Sequence, residues 1–113
     1  MDKLTDFFKM LSDETRVRIL VLLYHKKLCV CQMCGIMEET QPKVSKHLAK
    51  LRDMGFVKDE RKEQFIYYYL NFDNKIFDLV LKDIVDNIGE YETLKKDIEK
   101  ISIAEEFLNA CKK

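Results

Sequence analysis

Glycine and proline are scarce, Gly 3 and Pro 1 in 113 residues, which argues against an all-β fold built on tight turns. No apolar run approaches the ~20 residues that a membrane span needs. The first stretch, MDKLTDFFKML, lacks the apolar block and small-residue cleavage site of an export signal. Net charge is missing as well. Lys+Arg 20 balance Asp+Glu 20, so the molecule as a whole has no field to steer a partner. What is present, hydrophobic residues at 47% and charged residues at 35%, is the composition of a soluble, helix-rich protein. The expectation is a cytoplasmic protein with no membrane partner and a single domain over 1–113. A domain this small buries only part of its apolar surface, and self-association is a common remedy.

The neutrality conceals an asymmetry. Residues 1–70 carry 13 basic and 10 acidic side chains, whereas residues 71–113 carry 7 and 10. From Lys43 to Arg52 there are Lys43, Lys46, Lys50 and Arg52, together with His47, and no acid. One face is therefore basic. Apolar periodicity supplies the elements around it. Leu4, Phe7, Phe8 and Leu11 predict a first helix over about 2–11. Ser12 is the expected N-cap of a second, with Asp13 and Glu14 in a first turn where the helix dipole favours acids. That helix runs through Val17, Leu20, Val21 and Tyr24 to His25-Lys26-Lys27. Val30 to Glu38 reads as a short third helix. Pro42 opens a fourth, over about 42–54, because its missing N–H would be unpaired in a first turn. Gly55 closes it. Phe56–Glu60 and Phe65–Leu70, β-branched and aromatic on either side of a charged turn, predict a hairpin. From Asn74 onward the pattern is helical again, with Gly89 as a break or bend. Ser102-Ile103-Ala104-Glu105 resembles a capping box for a last short helix.

That order of elements predicts a mainly α fold with a small β-hairpin, a winged helix-turn-helix of the α+β class. Val44, Leu48 and Leu51 fall at i, i+4, i+7 and form the buried stripe of the fourth helix. Lys43, Lys46, His47 and Lys50 fall on another face. Gln41 and Ser45, at the helix start, are expected to reach base edges of double-stranded operator DNA. Lys43, Lys46 and Lys50, with Arg52, are expected near phosphates, and Arg61 and Lys62 near the hairpin tip at the flanking backbone. Taken alone, the cations would be a solvated helix face and His47 a packing residue; the succession of elements favours DNA. No catalytic constellation stands out, and an enzyme is not expected. A fold of this kind reads two half-sites as a homodimer. The expected interface uses terminal helices over 1–11 and about 74–111, with Leu4, Phe8, Leu81, Ile84, Ile88 and Tyr91.

Cys29, Cys31 and Cys34 stand within six residues, and the fourth cysteine is Cys111. With no export signal, the cluster points to metal binding or redox chemistry by reduced thiols. Soft thiolates select soft ions. Helical side chains turn by about 100° per residue, so Cys31 and Cys34 share a face while Cys29 and Cys31 point apart. All three can meet one ion only where the chain at 29–31 is not helical, and ligand binding would then re-aim the third helix. Three thiolates without an evident fourth donor suit a three-coordinate As(III) or Sb(III). Zn(II) or Cd(II) would prefer a fourth ligand, for which Cys111 is available. A Cd(II)/Pb(II)-responsive protein is thus one alternative. A thiol redox sensor built on Cys31-x-x-Cys34 is another, although the βαβ context of an oxidoreductase is missing.

Several stretches together resemble one family. They are Phe8-Lys9-Met10-Leu11-Ser12-Asp13, Arg16-Val17-Arg18-Ile19-Leu20, Leu28-Cys29-Val30-Cys31, Gln41-Pro42-Lys43-Val44-Ser45-Lys46-His47-Leu48 and Gly55-Phe56-Val57. They are similar to the ArsR/SmtB family of metalloregulatory repressors, above all its arsenical-resistance branch, over roughly residues 5–70. The resemblance implies a homodimer that occupies its operator when metalloid-free and leaves it when As(III) or Sb(III) binds. Carried over by position, it implies Cys29, Cys31 and Cys34 as ligands and Gln41 to Arg52 as the recognition helix. The chain departs from that pattern at Lys27, where an acid often stands, and at Gln32, where Asp is usual. The hairpin tip Lys62-Glu63-Gln64 lacks the customary Gly, and the acidic tail after Asn71 matches poorly. The paired His/Asp sites that zinc-sensing relatives carry on the last helix are absent.

Overall fold

Phe7 organises the N-terminal half of the core. The computed structural model describes residues 2–111. In it, α1 (Asp2–Met10) turns Phe7 inward, where its ring stacks on Phe77 with centroids 4.3 Å apart. Phe56 and Phe72 pack around the same pair at tilted or edge-on angles. Offset and edge-to-face arrangements suit the ring quadrupoles. This cluster joins α1 to the chain after α4 (Gln41–Asp53) and to α5 (Lys75–Asp86).

Between them, α2 (Glu14–His25) is the central buried helix, with Ile19, Leu20, Val21 and Leu22 fully enclosed. Its N-cap is Asp13 and not Ser12: the Asp13 carboxylate accepts the Arg16 N–H at 3.0 Å. The Ser12 hydroxyl instead donates back to the Lys9 carbonyl at the end of α1. Arg16 finishes that helix end, its guanidinium donating to the Met10 and Lys9 carbonyls.

α3 (Val30–Met37) and α4 form the helix-turn-helix pair. Val44, Leu48 and Leu51 are fully buried, as their spacing predicts. Thr40 is the N-cap and Pro42 lies in the first turn. Gly55 follows with φ of 84°, the left-handed conformation that glycine adopts without steric cost, and Lys3 donates to the adjacent Met54 carbonyl. The wing pairs β2 (Val57–Lys62) with β3 (Phe65–Leu70) in antiparallel register, Val57 opposite Leu70 and Lys62 opposite Phe65. Glu63 takes φ of 58° at the tip, so the turn closes without a glycine.

The hairpin is one strand short of the sheet that forms. A two-residue strand, β1 (Leu28–Cys29), pairs with the other edge of β3, giving the order β1-β3-β2. Leu28 lies opposite Tyr68, and Cys29 opposite Tyr67. The start of the cysteine box is thereby hydrogen-bonded to the wing.

After α5 the chain breaks at a short 3₁₀ turn, Ile88–Glu90, and continues as α6 (Glu92–Glu99). The C-terminal segment Ile101–Cys111 is 3₁₀ with a kink at Ile103, not an α-helix capped by Ser102. Ser102 donates its hydroxyl to the Glu99 carbonyl instead. This segment lies on α3: Ala104 is fully buried, and a Cβ at Gly35 would collide with the Phe107 ring. Gly35→Ala should therefore destabilise the fold by about 1–3 kcal/mol through overpacking, despite alanine's better helix propensity. Adding Phe107→Ala should recover part of that loss in a urea-unfolding comparison. Equal stability of Gly35→Ala and wild type would mean that the segment does not sit on α3.

Leu81, expected at an intersubunit face, is fully buried within the single chain. Its neighbours on α5 turn it toward the core that α2 shares. The exposed large apolar residues are Phe8 of α1, Ile76 and Leu79 of α5, Tyr91, Ile66 and Ile103. Leu4, Ile84 and Ile88 are half-buried.

Candidate nucleic-acid interface and thiol cluster

The outward side of α4 presents Gln41, Lys43, Lys46 and Lys50 to solvent, with Ser45 half-exposed beside them. The cations are not equivalent. Lys43 pairs with Glu39 at 3.2 Å, and Arg52 reaches Asp59 of β2 at 3.3 Å. Lys46 and Lys50 have no ion pair among the described residues, and neither do Arg61 and Lys62 at the wing tip. These four can meet phosphates without first breaking an internal contact.

His47 does not share their face. Its ring is turned toward α2, with 12% of the side chain exposed and Nε2 3.8 Å from the Asp13 carboxylate. Nδ1 lies 3.4 Å from the Arg16 guanidinium. Burial lowers its pKa below the ordinary histidine value, against the opposing pull of Asp13. Burial also opposes ionisation of Asp13, but the Arg16 N–H and the facing His47 and Arg16 charges outweigh it and hold that carboxyl below its usual range. His47 is thus a packing and bridging residue. Helical spacing places His47 next to Lys43 and Lys46 in sequence, while the fold turns its ring toward Asp13 and Arg16.

The thiols sit where three elements converge. Cys29 ends β1 in extended conformation and stands at the N-cap of α3, with φ of −92° and ψ of 170°. The chain there is not helical, so the angular conflict between Cys29 and Cys31 is relieved at its first residue. Cys31 and Cys34 follow one turn apart on α3. Cys29 and Cys34 are free thiols, whereas Cys31 is disulfide-bonded. The Cys111 side chain lies outside the described residues. Burial, then the neighbouring Cys29, then Glu39 push the Cys34 thiol above its ordinary pKa. Among the described residues no three donors are gathered closely enough to hold one ion. The donor chemistry suits a soft, thiophilic metalloid, and three-coordinate binding would require the start of α3 to move.

A cleft of about 570 Å³ connects these groups. Cys29 and Cys31 border it from β1 and α3, Gln41 and Ser45 from α4, and Gln64 and Ile66 from the wing. Gln41 and Ser45, expected to read bases, thus share one space with two of the three clustered cysteines, Cys29 and Cys31. The sequence pattern did not reveal the group that ties this region to the rest. Gln32, fully buried in α3, accepts the Cys29 N–H at 3.1 Å and donates to the Ala104 carbonyl at 3.2 Å. At the other end of α3, Arg18 donates to the Met37 carbonyl and Lys100 to the Ile36 carbonyl. No periodicity signals the contacts of Gln32 with Ala104, Arg18 with Met37 and Lys100 with Ile36, because each joins residues far apart in the chain.

Comparison with known proteins gives a consistent result. The family model described as "Bacterial regulatory protein, arsR family" matches residues 13–59. The "Arsenic resistance transcriptional regulator ArsR1" of Pseudomonas putida is 43% identical over 86 residues, 74% of this chain and 67% of that protein. The "Arsenical resistance operon repressor" of Escherichia coli is 43% identical over 65 residues, 57% of this chain and 56% of its own length. The match thus spans two thirds of the first relative and little more than half of the second. Among solved structures, the transcriptional regulator HlyU from Vibrio vulnificus superposes with a TM-score of 0.67 at 28% identity. That superposition covers 75% of this chain and 86% of that one.

Proposed function

This chain belongs to the arsR family of bacterial regulatory proteins, and on that premise we propose that it is a dimeric repressor released from operator DNA by As(III) or Sb(III). A winged helix-turn-helix regulator of this family is a DNA-binding protein and not an enzyme. The observation that carries the metalloid reading is the position of Cys29, which is at once the last residue of β1, paired to the wing, and the N-cap of α3, packed on α4. A displacement of its sulfur therefore acts on both DNA-contacting elements. Gln41 and Ser45 take base edges, while Lys46, Lys50, Arg61 and Lys62 take phosphates. Phe8, Ile76 and Leu79 supply an apolar face for a second copy, with Leu4, Ile84, Ile88 and Tyr91 at its margin.

A trivalent metalloid supplies three bonding positions for soft sulfur, and Cys29, Cys31 and Cys34 are the residues that would fill them. Cys31 must be reduced first. Under reducing conditions, arsenite should weaken operator binding of the wild type by about tenfold or more, within the usual range of allosteric coupling. Cys29→Ser and Cys34→Ser should bind the operator normally and remain bound when arsenite is added, because a serine oxygen is too hard a donor. Fluorescence anisotropy on an operator duplex reads both effects. Release of the serine variants at wild-type arsenite concentrations would refute the thiol site.

The disulfide at Cys31 favours a second reading, a response to oxidation. In that case mild oxidation without any metalloid changes operator affinity, and reduction restores it.

A further inference from the structure

α3 is held differently at its two ends. At the C-terminal end, two cations grip its last carbonyls. Arg18 donates to Met37 O at 2.9 Å while bonded to Asp97 of α6, and Lys100 donates to Ile36 O at 3.2 Å and to Glu38 at 2.7 Å. At the N-terminal end, beside the pairing of Cys29 with β3 and the disulfide of Cys31, the side chain that bonds on both sides of the helix is the neutral amide of Gln32. Its two partners fix its amide orientation: an N–H requires the oxygen, and a carbonyl requires the nitrogen. One side of Gln32 therefore carries the backbone of the first thiol residue, and the other carries the C-terminal segment, 72 residues away in sequence.

That segment is poorly able to stand alone. A 3₁₀ helix has weaker hydrogen-bond geometry than an α-helix and rarely continues beyond a few residues, and here it kinks at Ile103. Its threefold period instead aligns Ile101, Ala104 and Phe107 on one side. Ala104 is buried, and Phe107 fills the space that the missing Gly35 side chain leaves on α3. Contacts with α3 help to hold the segment in place, the Gln32–Ala104 hydrogen bond among them, and Glu105 pairs with Lys26, the C-cap of α2, at 3.5 Å.

Drawing the Cys29 sulfur toward Cys34 moves the Cys29 N–H, and the Gln32 side chain must follow or lose its bond. With the far end of α3 clamped, the displacement falls on the N-terminal turn and on Ala104. We propose that Gln32 is a positioning residue that couples occupancy of the thiol cluster to the C-terminal segment, so that metalloid binding loosens residues 101–108 from α3. This rests on the metalloid reading above. The loosened segment no longer braces α3 against α4, and release of the operator depends on that loss.

Gln32→Glu separates the two bonds. While ionised, the carboxylate still accepts the Cys29 N–H but has no hydrogen to donate to Ala104. Burial favours its protonated form, which can donate, so Gln32→Met is the deciding variant. Gln32→Met removes both bonds at similar volume and serves where the carboxylate impairs folding. Wild type and variants are compared, reduced, by three measurements. These are arsenite titration through sulfur–arsenic ultraviolet absorbance, operator affinity with and without arsenite, and amide hydrogen exchange of residues 101–108. In wild type, arsenite should accelerate exchange in that segment and weaken operator binding about tenfold. In the variants the segment should exchange fast before arsenite is added. Arsenite should still bind, while its effect on operator affinity should fall to about threefold or less. A merely structural role would lower stability but leave that ratio unchanged. Variants with the full wild-type ratio overturn the proposal, as does a wild type whose segment exchange ignores bound arsenite. A wild type that binds no arsenite overturns the metalloid reading itself, and the absorbance titration alone shows it.

Discussion

Asp97→Ala should cost about 3–5 kcal/mol of folding stability, the usual penalty for leaving a buried charge without its partner. Asp97 is 2% exposed and takes two hydrogen bonds from Arg18, Nε to Oδ2 and Nη2 to Oδ1, both at 2.8 Å. The hydrogen bond to Asp97 raises the guanidinium pKa above its ordinary value, against the effect of burial. Without the carboxylate, Arg18 keeps the Met37 carbonyl and Glu39 at 3.7 Å among the described residues. Glu39 offsets part of the loss, which places the expected value toward the lower end of the range. The melting temperature should drop by on the order of 10 °C. Combining Asp97→Leu with Arg18→Met should recover much of the loss, since an apolar pair of similar volume often matches a buried ion pair. A decrease below about 1 kcal/mol in urea unfolding would place the pair among ordinary solvated ion pairs. It would also mean that α6 is not anchored through it.

The second large effect concerns DNA. Replacing Lys46 and Lys50 together with alanine removes two charges per chain, four from the dimer proposed above. If each neutralises one phosphate, the slope of log affinity against log salt should become shallower by about 3–4, and affinity at 0.15 M salt should drop by about two to three orders of magnitude. Lys43→Ala and Arg52→Ala should each do less, because Glu39 and Asp59 already occupy those cations. An unchanged salt slope in the double variant would remove α4 from the phosphate contacts. Base preference should survive the loss of the lysines, since phosphate contacts set affinity and register while base edges set sequence. Gln41→Ala and Ser45→Ala should show the opposite pattern.

Much of this was legible because it is local. The i, i+4, i+7 stripe of Val44, Leu48 and Leu51 predicts both the fourth helix and its buried side, and all three residues are fully buried. Proline in the first turn and Gly55 with its positive φ mark the helix ends. The hairpin follows from its aromatic and β-branched strands, with a boundary shift of two residues at the end of β2. The cap between α1 and α2 lies one residue beyond the Ser12 that the pattern predicts, because Ser12 and Asp13 are both good N-caps. The choice between them depends on which oxygen meets the Arg16 N–H once the chain has turned. Leu81 illustrates the same limit: its spacing puts it on the apolar face of α5 but does not say whether that face meets α2 or a second copy.

The order and type of α1 to α5 and of the wing hairpin, the apolar stripe of α4 and the presence of a soft-donor cluster were determined by the sequence alone, because each depends on short spacings and intrinsic backbone preferences. Tertiary structure decided the rest. A two-residue strand has no alternation to read, yet β1 links the first thiol to the wing. The burial of Gln32, the Arg18–Asp97 pair and the seat of Phe107 on Gly35 each depend on residues dozens of positions apart. Which cations of α4 remain free was likewise decided in three dimensions. Partners that only folding brings together leave no periodic trace in the chain, so their effects emerge only when the packed core has chosen which groups meet.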